Sequence, residues 1–273
     1  MTRCKLLPFL WLTASVFAQS ALKFEVATIK LADPNAPMRN QMMRVAPNRM
    51  SIPSATLNQL IYTAYGEGMN TSATVTGGPD WANRTAYAVE GLAHEPATQR
   101  QFQAMLRALL EDRFGLKVRT EMRSGNVYAL ILDRNDGKLG PNVQPWDGTC
   151  FAGRMPTEDD DPAYPRCASG YAGPGIILDG ATMYNAADLL SLPMSRTLLG
   201  RVVQDRTGLT GRYRMRLEYR FTAPRPLDPG VLPDNSQPSL ATAIREQLGL
   251  KLVPDQGPFK VFVVESAERP AEN

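Results

Sequence analysis

Two stretches of this 273-residue chain run parallel in order and spacing, so the chain reads as one unit written twice. Ser54 to Glu90 runs without a gap against Gly180 to Arg216 at an offset of 126 residues, setting Ala55-Thr56 on Ala181-Thr182 and Tyr87 on Tyr213. Leu106 to Leu130 then runs against Leu240 to Val264 at an offset of 134. That register lays Phe114-Gly115-Leu116-Lys117-Val118 on Leu248-Gly249-Leu250-Lys251-Leu252, and Val127-Tyr128 on Val261-Phe262. A Pro-rich connection from Phe221 to Ser239 accounts for the larger second offset.

Periodicity predicts the content of each copy. Leu22 to Lys30 alternates apolar and polar residues as a half-buried strand does, and Arg49 to Ile52 reads as a second, short strand. Ser54 or Thr56 caps a helix over Leu57–Tyr65, followed by strands at Thr74–Thr76 and Tyr87–Glu90. A longer helix over Gln99–Arg113 carries the apolar stripe Phe102, Met105, Leu106, Leu109 and Leu110 and stops at Gly115. Leu116–Met122 and Asn126–Asp133 read as a hairpin turning at Ser124-Gly125. The second copy predicts strand Gly175–Leu178, helix Met183–Leu192, strands Arg201–Gln204 and Arg212–Arg220, helix Leu240–Leu248 and a hairpin over Leu250–Ser266.

The fold class expected is α+β: two tandem strand-helix-strand-strand-helix-hairpin units related by a pseudo-twofold, helices packed on antiparallel-rich sheets. The spacing leaves little room for the long parallel crossovers of a doubly wound nucleotide-binding fold. Two linked copies would pack as homodimers do, and a cleft on their axis is the natural binding place. The divisions expected are residues 1–18 as a leader, 22–134 and 175–273 as the two repeats, and 135–174 as a Gly/Pro/Asp-rich linker.

The first residues have the form of an export signal. Arg3 and Lys5 precede the apolar run Leu6 to Val16, and Val16-Phe17-Ala18 supplies a small-x-small cleavage pattern. The run is shorter than the roughly 20 residues a membrane span needs. The reading is a periplasmic or extracellular product with no transmembrane segment. Of the 30 Lys and Arg residues two lie in that leader, so the remainder nearly balances the 27 Asp and Glu. Without a basic run, nucleic acid is not the expected partner. Cys150 and Cys167 both lie in the linker and, in an oxidising compartment, are read as a disulfide.

Catalytic constellations are few. The single histidine, His94, stands without a Gly-x-Ser-x-Gly elbow, and too few His and Cys are present for zinc. Glu158-Asp159-Asp160-Asp161 lacks the spacing of a calcium loop and reads as a solvated acidic stretch. No phosphate loop or dinucleotide fingerprint occurs, so no cofactor and no metal are expected. Gly77-Gly78-Pro79-Asp80-Trp81 and Asp205-Arg206-Thr207-Gly208-Leu209-Thr210-Gly211-Arg212-Tyr213 occupy matching places in the two copies. Trp81, Asp80, Asp205, Arg206, Thr207, Tyr87 and Tyr213 are therefore the candidate binding residues, Trp and Arg being strong contributors at interfaces. The competing reading makes these loops glycine turns and Trp81 the plug of a small core.

Four stretches carry a resemblance: Phe24-Glu25-Val26-Ala27-Thr28-Ile29-Lys30, Gly77 to Trp81, Arg113-Phe114-Gly115-Leu116-Lys117, and Val203 to Tyr213. Together they resemble a family of uncharacterised, exported, soil-associated bacterial proteins of acidobacterial type, a domain of unknown function. Gln204 stands where that pattern favours Val or Thr. The resemblance implies no catalytic residues. Similar domains attached to membrane metallopeptidases of the antibiotic-sensor type imply sensing or partner binding outside the membrane. The order of elements in each copy also looks like the small N-terminal domains of secretins and outer-membrane receptors. The function expected is a non-enzymatic exported module that binds a protein, peptide or envelope ligand in the inter-repeat cleft. The alternative is a carboxylate-based hydrolase of the envelope or extracellular space, drawn from Glu90, Glu218 and the acidic stretch.

Overall fold

A computed structural model describes residues 22–35, 43–66, 73–148, 169–172, 175–191, 199–220 and 237–270. The expected leader, Cys150, Cys167 and the Glu158–Asp161 stretch lie outside the described residues. The fold is α+β, with four α-helices and three four-stranded, mostly antiparallel sheets among the described residues.

The first outer sheet has the order β1-β5-β3-β2, where β1 is Val26–Leu31, β2 Arg44–Ala46, β3 Arg49–Thr56 and β5 Ala86–Leu92. Every pairing in it is antiparallel. Tyr87 and Val89 alternate inward along β5. On β3 a bulge between Ile52 and Ala55 resets the alternation so that Met50, Ile52 and Ala55 all face the core.

Helices α1 (Leu57–Tyr65) and α2 (Gln99–Phe114) cover this sheet's inner side. Both open with a capping box, Thr56 with Gln59 and Thr98 with Gln101, each satisfying two orphan backbone N–H groups. Leu57, Leu60, Ile61 and Ala64 of α1 meet Phe102, Leu106 and Leu110 of α2 in the first core. Fully burying each of the Leu, Ile and Phe side chains contributes about 1.5–3 kcal/mol.

The other outer sheet has the order β7-β11-β9-β8, with β7 Val143–Pro145, β8 Ser169–Ala172, β9 Gly175–Ala181 and β11 Tyr213–Glu218. Two of its strands thus come from the segment between the repeats, which the sequence presented only as a linker. Helices α3 (Met183–Ser191) and α4 (Leu240–Leu248) supply Met183, Ala187, Leu190, Ala243, Ile244 and Leu248 to the second core. Both α2 and α4 end on a left-handed glycine, Gly115 and Gly249. At Gly249 a side chain is excluded twice over, because a Cβ would lie 2.5 Å from the backbone nitrogen of Gly140.

The central sheet, β10-β6-β12-β4, departs from expectation. β6 runs unbroken over Lys117–Leu132 and β12 over Leu250–Ser266, where two hairpins were expected. The two strands pair antiparallel from Leu250 opposite Leu132 to Ser266 opposite Lys117. Tight hairpin turns need residues with positive φ. Gly125 and Gly257, at the would-be turns, have none and lie opposite each other in extended strand.

Each strand therefore leaves its own half and enters the other. Leu116 and Val118 join the first core, whereas Leu130 and Leu132 join the second. Leu250 and Leu252 belong to the second core, whereas Phe262 and Val264 complete the first. The edges are β4 (Ala73–Gly77), parallel to β12, and β10 (Val202–Asp205), parallel to β6. One outward N–H on each is covered: Val75 N donates to Tyr62 Oη at 3.1 Å, and Val203 N to Ser191 Oγ at 2.8 Å. Such cover blunts edges that would otherwise recruit further strands. No helix among the described residues is long and apolar enough to cross a membrane.

Candidate functional site

The Gly77–Trp81 loop leaves β4 through two left-handed glycines, with φ of 75° and 76°. A Cβ at Gly77 would lie 2.7 Å from the Val264 carbonyl oxygen, so the close strand pairing itself requires glycine. Asp80 then opens a 3-10 turn, Asp80–Asn83. The Trp81 ring stacks on Phe114 at 6.2 Å and meets the edge of Tyr87 at 6.3 Å, while the Arg269 guanidinium sits 5.3 Å above it. Burial pushes the Tyr87 phenol above its ordinary pKa, against the pull of Arg269. Trp81 and Tyr87 thus close the end of the first core.

The second loop is folded on its own polar atoms. Asp205 Oδ1 accepts from Thr207 N at 2.9 Å and Thr207 Oγ1 at 2.7 Å. Thr207 Oγ1 accepts in turn from Leu209 N at 3.2 Å, and Tyr213 Oη donates to the Thr210 carbonyl at 3.1 Å. These are side-chain-stabilised turns.

Arg206 is held differently. Its Nη2 donates to Gln204 Oε1 at 3.1 Å, and Gln204 Nε2 donates to the Pro258 carbonyl at 2.6 Å. Gly257 makes room for this arrangement, since a Cβ there would lie 2.4 Å from Gln204 Oε1.

The seven candidate residues therefore fall into two groups. β4 and β10 are opposite edges of the central sheet, and the loops leave from opposite ends of the β6–β12 ribbon. Gly77 lies beside Val264, whereas Asp205 lies beside Leu130, the partner of Leu252. From Leu252 to Val264 the strand covers about 40 Å at ~3.3 Å per residue. Trp81 and Arg206 do not form one clamp.

The carboxylates are also dispersed. Glu90 is on β5, where it accepts from Ser51 Oγ at 2.5 Å and faces Arg49 at 3.7 Å. Asp205 ends β10 and Glu218 ends β11, on two further sheets. His94 is exposed, 3.5 Å from Glu25. Among the described residues no group of three or more His, Cys, Asp and Glu is gathered as a metal site would need.

Asp205 and Arg206 do border a cavity of about 340 Å³, at the low end of the range for small-molecule sites. It lies between the middle of β12, the end of β10 and α3, with Ala73 and Met122 contributed by the first half. Tyr184, Phe259 and Met122 give it apolar surface, and of these Met122 is 62% and Tyr184 52% exposed. Lys260 and Arg206 bring two cationic groups. The arrangement can hold a ligand with apolar and charged parts.

Sequence reasoning missed Gln204, Met122, Tyr184 and Lys260 as lining residues. The available signals were weak: Tyr184 falls off the apolar stripe of α3, and Met122 interrupts the polar run Arg119 to Asn126.

A family profile described as "Protein of unknown function (DUF3738)" matches residues 58–267. No curated protein and no solved structure matches the chain.

Proposed function

We propose that this chain, which belongs to the DUF3738 family of proteins of unknown function, is a non-enzymatic exported binding or sensing module taking its ligand at the seam between duplicated halves. Equal spacing of strand pairs supports the duplication. Val45–Met50, Ile52–Val89 and Ala55–Tyr87 pair in the first sheet; Tyr171–Ile176, Leu178–Met215 and Ala181–Tyr213, each 126 residues on, pair in the other. The β6–β12 register sets Ser124 opposite Pro258, which are 134 residues apart. A pseudo-twofold through that pair exchanges the two long strands.

The cavity borders this point: Pro258 lines it, and Met122 and Lys260, a directly opposed pair, lie two residues away along their strands. That placement is the observation that carries the proposal. Export is supported by the leader-like first residues, and a binding role by the separation of Glu90, Asp205 and Glu218.

The test is to present isotope-labelled protein with fractionated envelope extract and to map amide shifts, following the fractions by mass spectrometry. Shifts confined to residues around Met122, Tyr184 and Pro258, with the bound compound recovered unchanged, are expected. Shifts confined to the outer sheets, or conversion of the compound, would refute the reading.

A further inference from the structure

Resting on that reading of the groove, we infer that its ligand is a small anion, a carboxylate on an apolar body, and that Gln204 is the residue that aims Arg206 at it. Arg206 makes no ion pair among the described residues. Among the described residues the one hydrogen bond of its exposed guanidinium runs to a neutral amide oxygen, which leaves most of its five N–H donors available to a ligand.

The adjacent carboxylate is turned to its own loop: Asp205 Oδ1 accepts two bonds from Thr207, and no ion pair joins Asp205 to Arg206. Lys260 lines the same cavity.

The aiming device is specific. Gln204 lies between the Pro258 carbonyl and the Arg206 guanidinium and presents its N–H to one and its oxygen to the other. The same side chain requires the missing Cβ at Gly257. A guanidinium fixed in this way loses less conformational freedom on pairing with a carboxylate than a free one does. Phe259, Met122 and Tyr184 offer the apolar body a surface alongside. A carboxylate suits the site because its two oxygens match the two parallel N–H bonds of one guanidinium edge. Gln204 is a positioning residue here; Arg206 is the contact.

The probes are 3-phenylpropionate and its neutral isostere 3-phenylpropionamide, titrated into the intact protein with amide shifts followed at Val203–Arg206 and Phe259–Phe262. The carboxylate should bind at least tenfold more tightly than the amide, in line with the advantage of charged hydrogen bonds. Arg206→Gln should erase that preference and leave amide binding unchanged. Gln204→Val should reduce it severalfold without abolishing it, and should weaken its dependence on the acid being ionised. Equal binding of acid and amide would overturn the anion inference while leaving the groove reading intact. Failure of both to shift groove residues would also overturn it, with the groove judged separately by the extract experiment. The wild-type comparison stands even if either variant misfolds.

Discussion

Trp81 illustrates how one side chain's neighbours determine its role. Its ring is surrounded by Phe114, Tyr87 and the Arg269 guanidinium, and it stands at the other edge of the central sheet from Arg206. Trp81→Ala should lower unfolding stability by about 3 kcal/mol, the usual range for truncating a packed aromatic. Ligand binding at the groove should be unaffected when measured well below the lowered melting temperature. Denaturant titration beside a binding isotherm would separate these two effects; loss of binding with stability preserved would return Trp81 to the ligand. Arg206 gives the opposite pattern, because its partners are polar and its surroundings open. In sequence the two residues looked equivalent because they occupy matching loops. The contrast arises from what packs above each loop, which spacing does not encode.

The strands and helices differ in how fully the sequence announces them. α1 and α2 were readable because the signals are local: Ser54 or Thr56 as the cap expected before α1, where Thr56 serves, a stripe at helical spacing, and a glycine after the long helix. The β6–β12 ribbon was not readable. An apolar stretch, a Ser-Gly or Gln-Gly-Pro interruption and another apolar stretch fit a hairpin as well as one long strand. The choice between them depends on a partner more than a hundred residues away.

Side-chain cover of the sheet edges was likewise invisible, since Ser191 reads only as the end of a helix. Ser191 Oγ accepts from Val203 N and lies within hydrogen-bond reach of the Ala187 and Val203 carbonyls. Ser191→Ala leaves the buried Val203 N–H without that acceptor and should cost about 1–3 kcal/mol. Hydrogen exchange at Val203 is the measurement: faster exchange there is expected, and an unchanged rate would mean that the edge is sheltered by other contacts.

The crossing of the long strands makes the chain one cooperative body with two cores. Phe262, near the end of the described residues, packs against the Tyr62 and Tyr65 rings of α1. Phe262→Ala should destabilise the protein by about 3 kcal/mol. Its first effect on hydrogen-exchange protection should fall in α1 and α2, which lie far earlier in the chain. Protection lost first in α4, the helix immediately before β12, would contradict this account. The α+β class and most of the order of elements were legible in the sequence, but the way two long strands join the two cores was not. Identical local signals suit two independent units and two intertwined ones equally well.

That crossing also imposes a timetable on folding. A polypeptide that emerges from its amino end can form α1 and α2 early, yet their hydrophobic interior stays open until Phe262 and Val264 arrive. The first core of a nascent chain therefore stays incomplete until the far end of β12 has been made.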